Sequence, residues 1–219
     1  DWIDHFDCEN IELRGNTCMD IGIRLGTHDS GGWVCALATF MDEPSWDDQF
    51  VRKMVASIER QAHILWKRGI PSRNWGNHRI FGLDGLLHTV LRLPMLRDAA
   101  AIVAFAKRNL EFIFRHEFHA DGTYVEQTLG YHQHMAKIYI YLLRLSQEFP
   151  ELAMTFSSEI LRRALIYALH TRAGGINDTA VVCGACDHEA SLQTTRATMR
   201  QISDHKLEDS WLPARDAVY

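Results

Sequence analysis

A chain of 219 residues with 47% hydrophobic and 23% charged residues has the balance of a globular protein and room for one domain or two small ones. Its net charge of −5 excludes bulk attraction to nucleic acid or anionic membranes and leaves a polyanionic ligand to a local basic cleft. No apolar run approaches the roughly 18 residues of a membrane span.

The first ten residues, DWIDHFDCEN, are acidic and lack the order of a signal peptide; a start without Met is that of a fragment or a processed chain. The segment 18–43 reads as helix with a break at Gly31 and Gly32. Residues 49–69 place Phe50, Met54, Ile58, Ala62 and Leu65 on one face at spacings of three and four, so a helix is expected there. Asp47 or Asp48 is positioned to cap it, and Gly69 stands where a C′ glycine belongs. Residues 72–81, SRNWGNHRIF, crowd polar groups ahead of a short apolar helix over 81–94 that Pro94 stops. Longer helices are expected over 96–118 and 129–149, then over 157–175 with a serine cap, and over 188–203. Residues 210–219 lead into an extended segment. Helices joined mostly by short connections favour antiparallel hairpins, which build a bundle, a solenoid or a closed toroid.

Five cysteines do not make a full disulfide framework. Cys183 and Cys186 form a lone CxxC followed by His188, without the further ligands of a zinc site or the βαβ context of a redox motif, so they read as ordinary loop and helix-start cysteines. In residues 120–135, ADGTYVEQTLGYHQHM, Asp121 and Gly122 make a turn. Thr123 and Glu126 fit a capping box. Tyr131 and His134 share a helix face whereas His132 and His134 do not, so no two-histidine metal pair is expected. His116 and His119 have helical spacing but no third ligand, and no metal site is assigned.

Asn77-His78 at the head of a helix, followed 54 positions on (131 − 77) by the Tyr of DGTYVEQTLGYH, resembles the heparinase II/III-like polysaccharide lyases, a family related to alginate and oligoalginate lyases. MDIGIRLGTH (19–28) is similar to the family's early helix with an Ile-Arg pair, GGINDTA (174–180) to its Asn-Asp turn, and LPARDAVY (212–219) to the join with its C-terminal β-sandwich. The family often reads Asn-Asn-His, and Gly76 replaces the first Asn here. The resemblance implies an all-α domain, an incomplete (α/α) toroid over 1–209, with 210–219 starting a linker to a β-sandwich missing from this chain. It also implies an acidic polysaccharide or oligosaccharide as partner and a periplasmic or secreted setting, with a cytoplasmic one as the alternative.

Lyases of this kind cleave a uronic acid polymer by β-elimination: the C5 proton is removed and the 4-O-linked sugar leaves. Removing that proton needs donors aimed at the neighbouring carboxylate. An Asn amide donates without titrating, and a His donates or acts as base. The resemblance gives these places to Asn77 and His78. The leaving oxygen needs a proton, and the resemblance gives Tyr131 that role, with its phenolate as base on a syn-facing proton. An unperturbed Tyr pKa of about 10 makes the base role depend on nearby positive charge. Arg24, Arg73 and Arg79 are candidates for that charge or for binding the polyanion, with Trp75 to stack on a sugar ring and His132 as a further substrate contact. No cofactor is required by these residues.

Each of these residues has a plainer reading: Asn77 as a helix cap, Tyr131 as an amphipathic contact, His78 as an exposed first-turn residue, Trp75 as core. Two other functions are compatible with the pattern. A glycoside hydrolase on a similar toroid needs two carboxylates flanking the bond, and Asp121 with Glu126 or Asp84 with Asp178 are available. A non-catalytic carbohydrate-binding helical domain needs none. Neither the polymer, nor endo or exo action, nor the oligomeric state follows from the sequence.

Overall fold

The structure is a computed structural model that describes residues 17–27, 31–70, 76–126, 128–155, 157–170, 172–173 and 181–182. Among them are seven α-helices: α1 (Thr17–Leu25), α2 (Gly32–Phe40), α3 (Asp48–Ile64), α4 (Asn77–Arg92), α5 (Ala99–His116), α6 (Leu129–Glu148) and α7 (Ser158–His170). Two-residue strands, β1 (Arg172–Ala173) and β2 (Val181–Val182), pair antiparallel. The described residues are therefore all-α in class. No helix among them is long and apolar enough to cross a membrane. The chain divides into two compact units, Asp1–Ile113 and Phe114–Tyr219.

In the first unit α1 packs on α4, and further on α2, α3 and the turn after α3. The α1–α4 contact is made by backbone. A methyl group on Gly22 would meet the Phe81 carbonyl and, at 2.8 Å, Gly82 Cα; one on Gly85 would meet the Gly22 backbone. Cys18 lies beside Gly82, and Gly22 lies beside Phe81 and Gly85, so the two helices run in the same direction. Around this seam Ile21, Leu25, Ile58, Leu65, Ile80, Leu83, Leu86 and Leu87 are buried.

The expected break in 18–43 is present: α1 ends at Leu25 and α2 begins at Gly32, with Gly26 (φ 132) and Gly31 (φ 68) in conformations that only glycine adopts easily. Asp47 is the cap of α3, its carboxylate accepting from Phe50 N–H at 2.7 Å. The expected face is inward: Met54, Ile58, Ala62 and Leu65 are buried, while Phe50 is half-buried. Gly69 does not act as a C′ glycine. The helix widens instead into a π-turn, Leu65–Gly69, closed by Ile70 N–H on the Leu65 carbonyl at 3.0 Å, and Ile70 keeps a right-handed backbone (φ −81, ψ −31).

Helix α4 begins at Asn77, four residues before the expected start at 81. The reason is Gly76. It takes φ 89 and ψ −160, a region that is essentially glycine-only. Its carbonyl accepts from Arg79 N–H at 3.1 Å, so the polar residues Asn77, His78 and Arg79 are already the first turn. The glycine that departs from the Asn-Asn-His pattern is thus the residue that lets this helix start here.

In the second unit α6 packs on α7. Phe114, Tyr124, Tyr139, Met135, Ile138, Leu142, Leu161 and Ala164 are buried, with Phe114 and Tyr139 ring centroids 4.6 Å apart. Ser157 caps α7 through Ile160 N–H at 3.3 Å, as expected. The capping box expected at Thr123 and Glu126 is not formed. Thr123 donates both its N–H (2.9 Å) and its hydroxyl (2.7 Å) to the Asp121 carboxylate, so the acidic turn takes the threonine. Thr128 is the cap of α6 instead, accepting from Tyr131 N–H at 3.4 Å. The helix expected over 188–203, the CxxC, the segment 174–180 and residues 210–219 lie outside the described residues.

Candidate functional site

The first cluster sits at the head of α4. Asn77 is the first helical residue and buried; the cap position belongs to Gly76, which has no side chain to offer, so Asn77 is not the cap. His78 is half-buried, and its carbonyl accepts the Cys18 thiol at 3.1 Å. Burial pushes the Cys18 thiol up from 9.0 to about 11, against a smaller opposing pull from Arg79, so it stays protonated and donates.

Arg79 reaches from α4 to α5, where its Nη2 donates to Asn109 Oδ1 at 2.6 Å. Asn109 is itself oriented by donating to the Phe105 carbonyl at 2.8 Å. Arg24 donates through Nη1 to Gln61 Oε1 at 3.2 Å, and Gln61, fully buried, donates on to Ser57 Oγ at 3.3 Å. Both arginines therefore tie helices together with part of their guanidinium, a positioning role that the sequence reading had not given them. Arg73 and Trp75 lie outside the described residues.

The second cluster is built by a tight loop leading into α6. Phe118 and Tyr124 form an antiparallel bridge, with His119 N–H on the Thr123 carbonyl at 2.8 Å and Val125 N–H on the Glu117 carbonyl at 3.0 Å. Gly122 (φ 91) makes the turn and lies against the α7 backbone at Arg163 and Ala164, where a side chain would not fit. Inside the loop the Tyr124 hydroxyl donates to Glu117 Oε2 at 2.8 Å, both residues being buried. Burial, and then the Glu117 carboxylate, push the Tyr124 phenol far above its ordinary range, so it remains a neutral donor.

Tyr131 stands in the first turn of α6, half-buried. His132 is 1% exposed, and its Nε2–H donates to the Ala164 carbonyl of α7 at 2.7 Å. Burial holds this imidazole below its ordinary pKa, so it is neutral. Its ring also lies edge-on to Tyr167, centroids 4.9 Å apart. His132, His119, Thr123, Tyr124, Thr128 and Tyr167 line a cavity of about 300 Å³; Tyr131 does not.

The family model for the heparinase II/III N-terminus matches residues 10–171, most of the chain. The chain belongs to the heparinase II/III N-terminal family. Comparison with curated proteins and with solved structures gives no match. Both clusters of this heparinase II/III N-terminal chain fall inside the matched span, whereas residues 174–180 and 212–219 fall after it. Membership relates the chain to polysaccharide lyases that act on acidic polysaccharides.

Two of the carboxylates that a hydrolase would need are described in structural roles. Asp84 is fully buried within α4. Asp121 is exposed, but the Thr123 hydrogen bonds hold it below its ordinary pKa, which suits a turn anchor rather than a proton donor. Asp178 lies outside the described residues. Among the described residues no group of three or more His, Cys, Asp or Glu is arranged to hold a metal.

The sequence reading missed Glu117, Tyr124 and Tyr167, and weighed His119 only with His116 as a metal pair. Tyr124 lies inside the quoted motif, but nothing in its spacing announces a β-bridge. Tyr167 arrives from a separate helix.

Proposed function

We propose that this chain is the helical domain of a polysaccharide lyase that cleaves a uronic-acid-containing polymer by β-elimination. The observation that carries the reading is the family match across both polar helix starts. In this reading Asn77 and His78 hold the uronate carboxylate at the head of α4, where helix N–H groups also favour an anion. Tyr131 transfers the proton, Arg24, Arg73 and Arg79 supply positive charge, and Trp75 and His132 contact the sugar.

The helical hairpins form an incomplete toroid over residues 1–209, and residues 210–219 lead toward a β-sandwich that contributes further catalytic groups. The family resemblance favours a periplasmic or secreted setting, with a cytoplasmic one as the alternative. Support for a carboxylate-binding head of α4 comes from the buried Asn77 and from Gly76, which leaves the first turn without a side-chain cap. The test is ultraviolet absorbance during incubation of the full-length protein with alginate, heparan sulfate and hyaluronan. Elimination leaves a conjugated double bond that absorbs, and hydrolysis leaves none. Reducing ends released without that absorbance would refute the lyase reading.

A further inference from the structure

Arg79 is held from a second helix, and the kind of atom that holds it matters. Its Nη2 donates to Asn109 Oδ1 at 2.6 Å, reaching from the first turn of α4 to the middle of α5. The other end of the Asn109 amide is engaged as well: Nδ2 donates to the Phe105 carbonyl at 2.8 Å. The oxygen is thereby turned toward Arg79, and exchanging the two ends of the amide would break both bonds.

A carboxylate and an amide oxygen hold a guanidinium with different electrical results. The carboxylate makes the stronger bond and offsets the charge; the amide makes a weaker bond and adds no negative charge. Arg162 and Arg163 use the first solution, both meeting Glu159 at 2.7 Å, and Arg97 meets Glu59 at 3.7 Å. Arg79 and Arg24 are the two described arginines to which the lyase reading gives positive charge. Both meet amide oxygens, of Asn109 and Gln61, and each amide is oriented by a second bond, to the Phe105 carbonyl and to Ser57 Oγ.

The place of Arg79 sharpens the contrast. Helix α4 has no acidic residue in its first turn, where one is ordinarily favoured, and Arg79 adds a full positive charge to the positive end of the helix. That charge reaches Cys18, whose thiol donates to the His78 carbonyl, so it acts on the turn that carries Asn77 and His78. Stability alone favours an acid at the helix start and an aspartate, which fills the same space, at position 109.

We propose that Asn109 is a positioning residue of the carboxylate-binding head of α4: its side-chain oxygen fixes the Arg79 guanidinium while adding no negative charge, so that Arg79 favours an acidic sugar over a neutral one. The inference rests on the proposed function only in taking Arg79 to meet the uronate carboxylate.

The test is a titration of the full-length protein, labelled with 15N-arginine, with sodium D-glucuronate and methyl β-D-glucopyranoside at equal ionic strength. One guanidinium, identified by its absence from Arg79→Lys, should rotate slowly about its Cζ–Nη bond and shift saturably with glucuronate but not with the neutral glycoside. Asn109→Asp keeps the acceptor and the space. It should retain the slow rotation and the melting temperature, yet weaken glucuronate about tenfold. A contact that only ties α4 to α5 would leave glucuronate affinity unchanged in that variant. Asn109→Leu should lose both the slow rotation and the affinity; should it fail to fold, Asn109→Asp decides alone.

The proposal is overturned by an Arg79 signal that glucuronate does not move, by equal movement with the neutral glycoside, or by wild-type glucuronate affinity in Asn109→Asp. Glucuronate binding of the expected pattern without elimination on any uronate polymer would reject the lyase reading and leave the assignment of Asn109 standing. Elimination with unchanged glucuronate affinity in Asn109→Asp would reject the assignment alone.

Discussion

Thr128 accepts the Tyr131 N–H in the first turn of α6, where Tyr131 is half-buried. Removing its hydroxyl separates a packing role from a chemical one. In the full-length protein Tyr131→Phe is expected to leave the melting temperature nearly unchanged and to lower kcat at least about a hundredfold, the low end for a lost general acid. Retention of more than about a tenth of wild-type kcat would remove Tyr131 from the mechanism. Asn77→Ala should cost roughly 2.7–4 kcal/mol in kcat, by analogy with a lost oxyanion donor. Cys18 carries a stability prediction with a definite sign. Its folded pKa, about 11, lies above the ordinary 9.0, so the fold favours the neutral thiol. That contribution is full below pH 9, falls as pH rises toward 11, and amounts to at most about 3 kcal/mol. Cys18→Ser keeps a donor for the His78 carbonyl but does not titrate there. Urea melts between pH 8 and 11 should therefore decline less steeply for the variant than for the wild type.

At the scale of the element, the α1–α4 seam is the most sensitive place in the first unit. Gly22→Ala sets a methyl group against the Phe81 carbonyl, which is backbone and cannot swing away. Gly82→Ala meets the Cys18 carbonyl and Sγ at 3.3 Å, a contact tight by only a few tenths of an ångström. Denaturation should show Gly22→Ala losing at least the roughly 1–3 kcal/mol typical of overpacking, and Gly82→Ala distinctly less. Equal losses would mean that the seam is not set by backbone contact. These glycines also explain what a sequence reader sees and does not see. The stripe Met54, Ile58, Ala62, Leu65 announces α3 because burial of one face leaves a period in the residue types. A helix seam made by the absence of side chains leaves no such period, and single glycines read as breakers. The start of α4 was placed too late for a related reason: Asn77, His78 and Arg79 look like loop until Gly76 is seen to open the helix. The α6 cap was misassigned because Asp121, a stronger local partner, takes Thr123 and leaves Thr128 to cap.

At the scale of the whole molecule, the proposed catalytic roles fall on residues 54 positions apart in sequence. The motif residues themselves were legible, because polar side chains crowded at helix starts are conspicuous. The cavity beside His132 was not, because its wall joins a loop, α6 and Tyr167 of α7. If Asn77 and Tyr131 serve one transition state, their losses cannot add. The double variant Asn77→Ala, Tyr131→Phe is expected to be about as slow as the slower single one, and simple multiplication of the two kcat losses would argue for separate sites. In the proposed reading a β-sandwich supplies part of the site, so residues 1–219 expressed alone are expected to show little or no turnover. Strong activity from that chain would show that the helical domain suffices.

The Gly22–Gly85 contact has a consequence for how the first unit opens. Where side chains meet, a contact loosens by degrees as rotamers change; where backbone meets backbone there is nothing to rearrange, and the contact is kept or lost as a whole. The amides of α1 and α4 should therefore exchange with deuterium as one cooperative group rather than fraying separately, and the head of α4, with Asn77 and His78, inherits the protection of the short helix lying against it.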